Sequence, residues 1–402
     1  SVGFAASNSV ELAITILGLF YGGFRATAIN LVAGAQTIGY VLEHSECCLI
    51  LQDASGEAVL KDVSQASNLP RLSINDVVTE NAAGSTLLAL SADEDGLLMY
   101  TSGTTGQPKG VRLSHKNLIT GGMNTAIAHQ LSEDDRAICS LPLYHINALC
   151  VTLLAPLVSG GSVVFTEKFS TTQFWQNIRD TNSTWFSLVP TQIGYLLNDK
   201  SLPLDLPNLR FGRSASAPLS PDIQSAFESR FNVPIIETMG LTETAAQILS
   251  NPLPPAVRKI GSPGIAFGNG VQIVDANNQV IAADVEGEIC IRGSNVMIGY
   301  LNNEQATSDA VDNKGWLHTG DLGKIDADGY VFVTGRIKEL IIKGGENIAP
   351  REVDEALLSH PAVLEAAAFA DDCDRYGQKV LAATVLKPDM QIGHDELIAH
   401  CE

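Results

Sequence analysis

The chain has 402 residues, 45% hydrophobic and 17% charged, a balance that suits a folded protein of two or more domains and leaves no disordered tract. Forty-five acidic side chains against 25 basic ones give a formal charge of −20, which argues against a nucleic-acid binder built on clustered Lys and Arg. Seven scattered cysteines, with no CxxC and no Cys/His pair at metal spacing, exclude a zinc finger or disulfide scaffold and indicate free thiols in a reducing compartment.

In chain order, residues 10–19 have a helical pattern. The apolar run 12–24 is short and no basic stretch precedes it, so it reads as a core helix rather than a signal peptide. Residues 48–51 and 97–100 are apolar runs of strand length. Residues 137–166 lack charge apart from a His145 cation, yet Pro142, Pro156 and Gly160–Gly161 break the run. It is better read as a strand, a buried helix and a second strand (162–165) than as a membrane span. A helix over 171–180 and a strand over 233–236 continue the alternation, which predicts α/β layers with largely parallel sheets.

After about residue 265 the texture changes. Short β-rich runs at 271–274, 288–292 and 330–334, separated by Gly, Asn and Asp, predict an antiparallel sheet or small barrel. Residues 325–330 read as a hairpin turn, because a calcium loop needs Glu where Ile337 stands. Beyond Gly335 a last segment has a helix opening at Pro350, with Val353, Ala356 and Leu357 on one face, and a strand over 363–369. The domain boundary is expected near Lys338, giving units 1–337 and 338–402.

The chemistry concentrates in Leu97-Leu-Met-Tyr-Thr-Ser-Gly-Thr-Thr-Gly-Gln-Pro-Lys-Gly-Val111. An apolar strand runs into Thr101, Ser102, Gly103, Thr104, Thr105 and Gly106, with Lys109 on the far side. Small residues let backbone N–H groups approach phosphate oxygens, hydroxyls add donors, and one lysine supplies charge. The spacing is neither that of a Walker A loop nor that of GxGxxG. A polar Gly-rich turn is the bland alternative, but ten consecutive positions of this type weigh against it.

This segment resembles the phosphate loop of the adenylate-forming superfamily of acyl-CoA synthetases, peptide-synthetase adenylation domains and firefly-type luciferases. Further blocks follow in that family's order: Leu141-Pro-Leu-Tyr-His145, Ser214-Ala-Ser-Ala-Pro218, Glu237-Thr-Met-Gly-Leu-Thr-Glu243, Gly287-Glu-Ile-Cys-Ile-Arg-Gly293, Gly315-Trp-Leu-His-Thr-Gly-Asp-Leu322 and Gly335-Arg-Ile-Lys-Glu-Leu-Ile341. The resemblance implies a large domain of two α/β subdomains and a β-rich, barrel-like one, then an incomplete small α+β domain. It implies an ATP-dependent acid–CoA ligase that uses ATP, Mg²⁺ and CoA and forms an acyl-adenylate. It places the loop and Lys109 at the β- and γ-phosphates, Glu243 at Mg²⁺ with help from Thr242, and Ser216, Ala217, Pro218, Glu237, Thr238 and Met239 around the nucleotide. Asp321 and Arg336 fall at the ribose, and His145, Asn147, Arg213, Gly240 and Ala246 in the acid pocket, with His145 counted among the catalytic groups. Lys338 resembles a hinge, and Gly344–Gly345 fall where relatives present backbone to CoA, although a plain turn explains them too. Met239 stands where the family usually stacks an aromatic ring on adenine; a thioether still packs there.

Wider wording is similar to the oxalate–CoA ligase branch, yet two histidines of that branch correspond to Asn147 and Ala246. That disfavours oxalate and points to a small or medium monocarboxylate, with Arg213 as the alternative cation, although an arginine beside a strand end is as often structural. The rival readings are a non-catalytic nucleotide-binding paralogue and an amino- or aryl-acid adenylation domain; His145-Ile-Asn147 lacks the Asp that commonly holds an α-amine. A covalent-lysine nucleotidyltransferase is excluded because no KxDG occurs. The chain opens at Ser1 inside what resembles the family's first unit. It stops at Glu402, before the segment that carries a lysine contacting carboxylate and α-phosphate, so a piece of a longer protein is expected. The expected compartment is the cytoplasm, or the peroxisome where a C-terminal address follows.

Overall fold

The computed structural model describes residues 1–79, 89–101, 107–199, 206–373, 375–387 and 389–401, with backbone only at 77–79. Two seven-stranded sheets carry the larger part of the chain. The first runs Gly299–Tyr300, Lys109–Ser114, Asp95–Thr101, Ala26–Ala28, Val2–Ala5, Leu49–Gln52, Arg71–Ser73; its last five strands are parallel and Lys109–Ser114 turns back antiparallel on Asp95–Thr101. The second runs Ile265–Ala266, Ala246–Ser250, Ile235–Leu241, Phe211–Ser214, Trp185–Leu188, Arg136–Cys139, Ser162–Phe165 and is parallel from Ile235–Leu241 onward. Such parallel ladders need both faces covered, which explains why Trp185–Leu188 and Phe211–Ser214 are buried along their whole length.

The uncharged stretch resolves as expected into strand Arg136–Cys139, a helical segment and strand Ser162–Phe165. What the sequence pattern did not foretell is the winding: Asn147–Leu154 is a π-helix, ending where Ala155 N donates to Cys150 O, five residues back. All eight of its residues are buried, and Leu149, Val151 and Leu153 join one apolar cluster with Leu97, Val111 and Leu113 of the first sheet and Trp185 and Phe211 of the second. Helix His115–Ala128 packs beside it. That close approach requires glycine at 121, where a Cβ would lie 2.2 Å from Ala245 O and 2.9 Å from Cys150 Sγ.

The β-rich region is a four-stranded antiparallel sheet, Gly270–Val274, Gly287–Arg292, Leu317–Ile325, Val331–Arg336. The expected turn at 326–329 closes its last hairpin, with Asp326 N donating to Tyr330 O and Lys259 paired to Asp326 and Asp328. The C-terminal part holds an antiparallel sheet, Glu346–Ile348, Ile341–Lys343, Gly377–Leu386, Val363–Cys373, backed by helices Pro350–Leu358 and His394–Cys401. All seven cysteines are free; burial pushes the Cys139, Cys150 and Cys290 thiols up to about 12, while Cys48 and Cys401 are exposed. Glu288, Cys290 and His318 converge within 4.8 Å, and hydrogen bonds account for the grouping: Glu288 binds His318 Nδ1 at 2.7 Å and accepts from Gly320 N. Among the described residues no helix is long and apolar enough to cross a membrane.

Gly121→Ala is expected to destabilise the protein by about 1–3 kcal/mol, because both atoms it meets are locked in the core. Gly18→Ala, in helix Val10–Tyr21 with nothing within 4 Å, is expected to stabilise by about 0.5–1 kcal/mol. Urea midpoints of the two variants check the contrast.

Candidate active site

A cleft of about 740 Å³ opens between the second sheet, the β-rich sheet and the C-terminal part. Ser216, Ala217 and Pro218 form one wall, just after strand Phe211–Ser214 ends. Ser216 is held at φ 74°, in the left-handed region that non-glycine residues rarely occupy, as is common where a backbone is shaped for a ligand. Glu237, Thr238, Met239 and Gly240 form the adjoining wall. The strand here is longer than the sequence suggested: Ile235–Leu241 continues through the polar motif because its backbone pairs antiparallel with Ala246–Ser250. Gly240 permits that pairing's irregular register, since a Cβ would lie 2.1 Å from Ala246 O. Met239 is partly buried against Ile248, Leu249 and Ile273, so one flank is core and the other faces the cleft.

Asp321 and Arg336 come together across the β-rich sheet, Arg336 Nε donating to Asp321 Oδ1 at 2.7 Å. Asp321 is buried, and burial outweighs Arg336, holding its carboxyl above the usual range. Lys338 lines the cleft from the short helix Ile337–Glu339, and Arg351 and Asp354 line it from helix Pro350–Leu358.

Glu243 follows Gly240 by three residues and is set by a chain of contacts that starts at a helix cap. Ser114 and Asn117 cap helix His115–Ala128 reciprocally, at 3.1 and 2.8 Å. The Asn117 amide then donates to Ser294 O and Val296 O, and Met297 N donates to Glu243 O at 2.8 Å. Tyr300 Oη donates to Glu243 Oε1 at 2.9 Å, and Lys109 Nζ lies 4.3 Å from the Tyr300 ring centroid. Among the described residues Glu243 Oε2 has no donor, which suits a carboxylate that ligates Mg²⁺ alongside phosphates. Thr242 is beside it in the short helix Thr242–Thr244. Thr101 pairs with Lys109 across strands Asp95–Thr101 and Lys109–Ser114; Ser102, Gly103, Thr104, Thr105 and Gly106 lie outside the described residues.

The expected pocket residues form a connected group. Asn147, at the mouth of the π-helix, donates to Ser216 Oγ at 3.3 Å and accepts from Arg213 Nη1 at 2.9 Å. His145 sits two residues earlier with its residue surface exposed, and partial desolvation of the ring lowers its pKa. Ala246 is buried and precedes Gln247, which binds Arg213. Gly344 and Gly345, with φ of 63° and 92°, form the two-residue turn between Ile341–Lys343 and Glu346–Ile348 and are not in the cleft wall. Sequence reasoning missed Tyr300, Gln247, Ser187 and Arg351; of these only Tyr300 had a local signal, a Gly-Tyr pair after an apolar run.

Residues 1–301 match the family described as AMP-binding enzyme, and residues 352–402 match the AMP-binding enzyme C-terminal domain. The chain is similar to sulfoacetate–CoA ligase of Cupriavidus necator, 44% identical over 403 residues that cover 98% of this chain and 79% of that protein. It is also similar to oxalate–CoA ligase of Arabidopsis thaliana, 35% identical and covering 98% and 80% respectively. Among solved structures, o-succinylbenzoate coenzyme A synthetase of Bacillus subtilis, in complex with ATP and magnesium ion, superposes with a TM-score of 0.89 at 30% identity, covering all of this chain and 82% of that one.

The Glu237 carboxyl is buried, and burial pushes its pKa up to about 7 despite a hydrogen bond from Leu219 N; Oε2 has no partner. Because the folded value lies above the ordinary 4.5, its contribution to stability is full below about pH 4.5 and is lost as pH rises through 7. Glu237→Gln is therefore expected to gain on the wild type by on the order of 3 kcal/mol between pH 4.5 and 8, read from denaturant unfolding at both values.

Proposed function

Since this chain belongs to the AMP-binding enzyme family, as an acid–CoA ligase that proceeds through an acyl-adenylate, we propose which of its residues perform that reaction. The observation that carries the reading is the convergence of Ser216–Pro218, Glu237–Met239 and the Asp321–Arg336 pair on one cleft, with Glu243, Tyr300 and Lys109 grouped just beyond Gly240. Adenine lies between the Ser216–Pro218 and Glu237–Met239 walls, with the Met239 thioether against its face. Asp321 accepts from the ribose hydroxyls. Two such donors favour the charged carboxylate that burial alone opposes.

The substrate carboxylate oxygen attacks the α-phosphorus as the bond to the pyrophosphate oxygen breaks. Negative charge then moves onto the departing phosphates, and Lys109 neutralises it from the end of the loop. Glu243, oriented by Tyr300, would hold Mg²⁺, which would supply charge neutralisation at the phosphates when bound. His145, its pKa lowered by desolvation of the ring, sits at the exposed edge of the acid pocket beside Asn147 and adds little positive charge that would pair with the nucleophile. The acid is a small one; relatives named for sulfoacetate and oxalate support that size. Lys338 lies at the junction of units 1–337 and 338–402, between strand Val331–Arg336 and strand Ile341–Lys343, and serves as the hinge that exchanges the adenylating arrangement for one open to CoA at Gly344–Gly345.

Lys109→Ala is expected to lower kcat/KM for ATP about 10²-fold. The same change costs no more than about 1 kcal/mol of stability, the value of a partly exposed cation–π contact. Pyrophosphate release at varied ATP checks it, and unchanged efficiency would overturn the assignment of Lys109 to the phosphates.

A further inference from the structure

Behind the cleft wall lies a buried cation without a counterion. Arg213, in strand Phe211–Ser214, is 1% exposed. Its Nη1 donates to Asn147 Oδ1 at 2.9 Å and to Ser187 Oγ at 3.0 Å, and its Nε to Gln247 Oε1 at 3.3 Å. These three partners are neutral, and no carboxylate among the described residues pairs with the guanidinium. Nη2 makes no hydrogen bond to the described residues, which leaves two of the five guanidinium N–H donors uncommitted.

The neighbouring titratable group does not supply the missing charge. His129 Nε2 meets the same Gln247 oxygen at 3.1 Å, and that oxygen can only accept, so Nε2 carries the proton. Burial and the positive charge of Arg213 press the imidazole down to about 3, so it stays neutral. Arg213 itself is lowered by burial to about 9 and remains charged at neutral pH. A buried charge surrounded only by neutral dipoles is costly, and a bound anion paired with it would offset that cost.

A hydrogen-bonded path leads from this charge to the site of chemistry. Asn147 accepts from Arg213 and donates to Ser216 Oγ at 3.3 Å, and Ser216 lines the cleft. The path is two hydrogen bonds long, with Arg213 and Asn147 behind the wall and Ser216 at its surface. We propose that the acid this enzyme activates carries a second anionic group, a carboxylate or a sulfonate, and that Arg213, Asn147 and Ser216 bind it. This deepens the ligase reading and rests on it. It departs from the monocarboxylate expected from Asn147 and Ala246, because the cation absent from those two positions is provided by Arg213 between them.

The test measures binding and turnover separately on the full chain. Calorimetry with a non-hydrolysable ATP analogue compares sulfoacetate, malonate and propionate, and pyrophosphate release compares their kcat/KM. At least one dianion is expected to bind 30-fold or more tighter than propionate, and the sulfoacetate and malonate arms distinguish sulfonate from carboxylate. Arg213→Gln is expected to reduce the dianion-to-propionate ratio at least tenfold, with partial recovery in Arg213→Lys. Should Arg213→Gln fail to fold, Asn147→Ala is expected to reduce the same ratio. Propionate binding as tightly as both dianions, or a preference that survives in folded Arg213→Gln, would overturn the inference. Dianion binding that depends on Arg213 without turnover of any acid would support it and overturn the ligase roles instead.

Discussion

The segment from Asn147 to Val158 lies between the two large sheets with no wet side for the whole length of Asn147–Leu154, and that burial constrains everything around it. Leu149, Val151, Leu153 and Leu154 each contribute about 1.5–3 kcal/mol by leaving water. The polar side chains of the segment must therefore find protein partners. Thr152 does so by donating to Ala148 O at 2.8 Å. Asn147 has no such local solution: the π-turn directs its amide to Arg213, Ser187 and Ser216 instead. Packing thus fixes a polar side chain behind the cleft wall at Ser216, in a winding that is rare and frequent at functional sites.

The charge arrangement follows a similar logic. The protein carries a formal charge of −20, yet the groups around the phosphate end and behind the acid pocket are Lys109 and Arg213. Three of the four acidic groups that line the cleft, Glu237, Asp321 and Asp354, have pKa values raised by burial. The raised value of Glu237 lessens the negative charge it presents near neutral pH, and Arg336, Lys338 and Arg351 line the same cleft. The acidic surface and a site suited to nucleotide are therefore compatible.

Much of this was legible in the chain itself. Strand Ser162–Phe165, helix Thr171–Thr181 and the helix opening at Pro350 stand where periodicity put them, because each depends on local pattern and a cap or turn residue. Strand Ile235–Leu241 was foreseen only in its apolar first part, since backbone pairing holds the polar remainder and polarity conceals it. Motif order singled out Glu243, Asp321 and Arg336, and the last two meet across the β-rich sheet. Nothing local indicated that Tyr300 would orient Glu243 across 57 positions, or that Ser187, Gln247 and Asn147 would surround one arginine. Those are consequences of tertiary packing, which brings together residues that no window of sequence contains.

The sorting of thiols gives the molecule an unplanned experimental handle. Cys139, Cys150 and Cys290 are sealed in the core with raised pKa values and resist alkylation, whereas Cys48 is exposed on the large unit and Cys401 on the C-terminal one. Cys373, partly exposed and with its pKa lowered by backbone donors, is a second reactive thiol beyond Lys338. A donor dye and an acceptor dye placed on the native side chains at 48 and 401, with Cys373 changed to serine, would span both units. The rearrangement proposed about Lys338 could then be tested in real time by energy transfer, without adding any new cysteine.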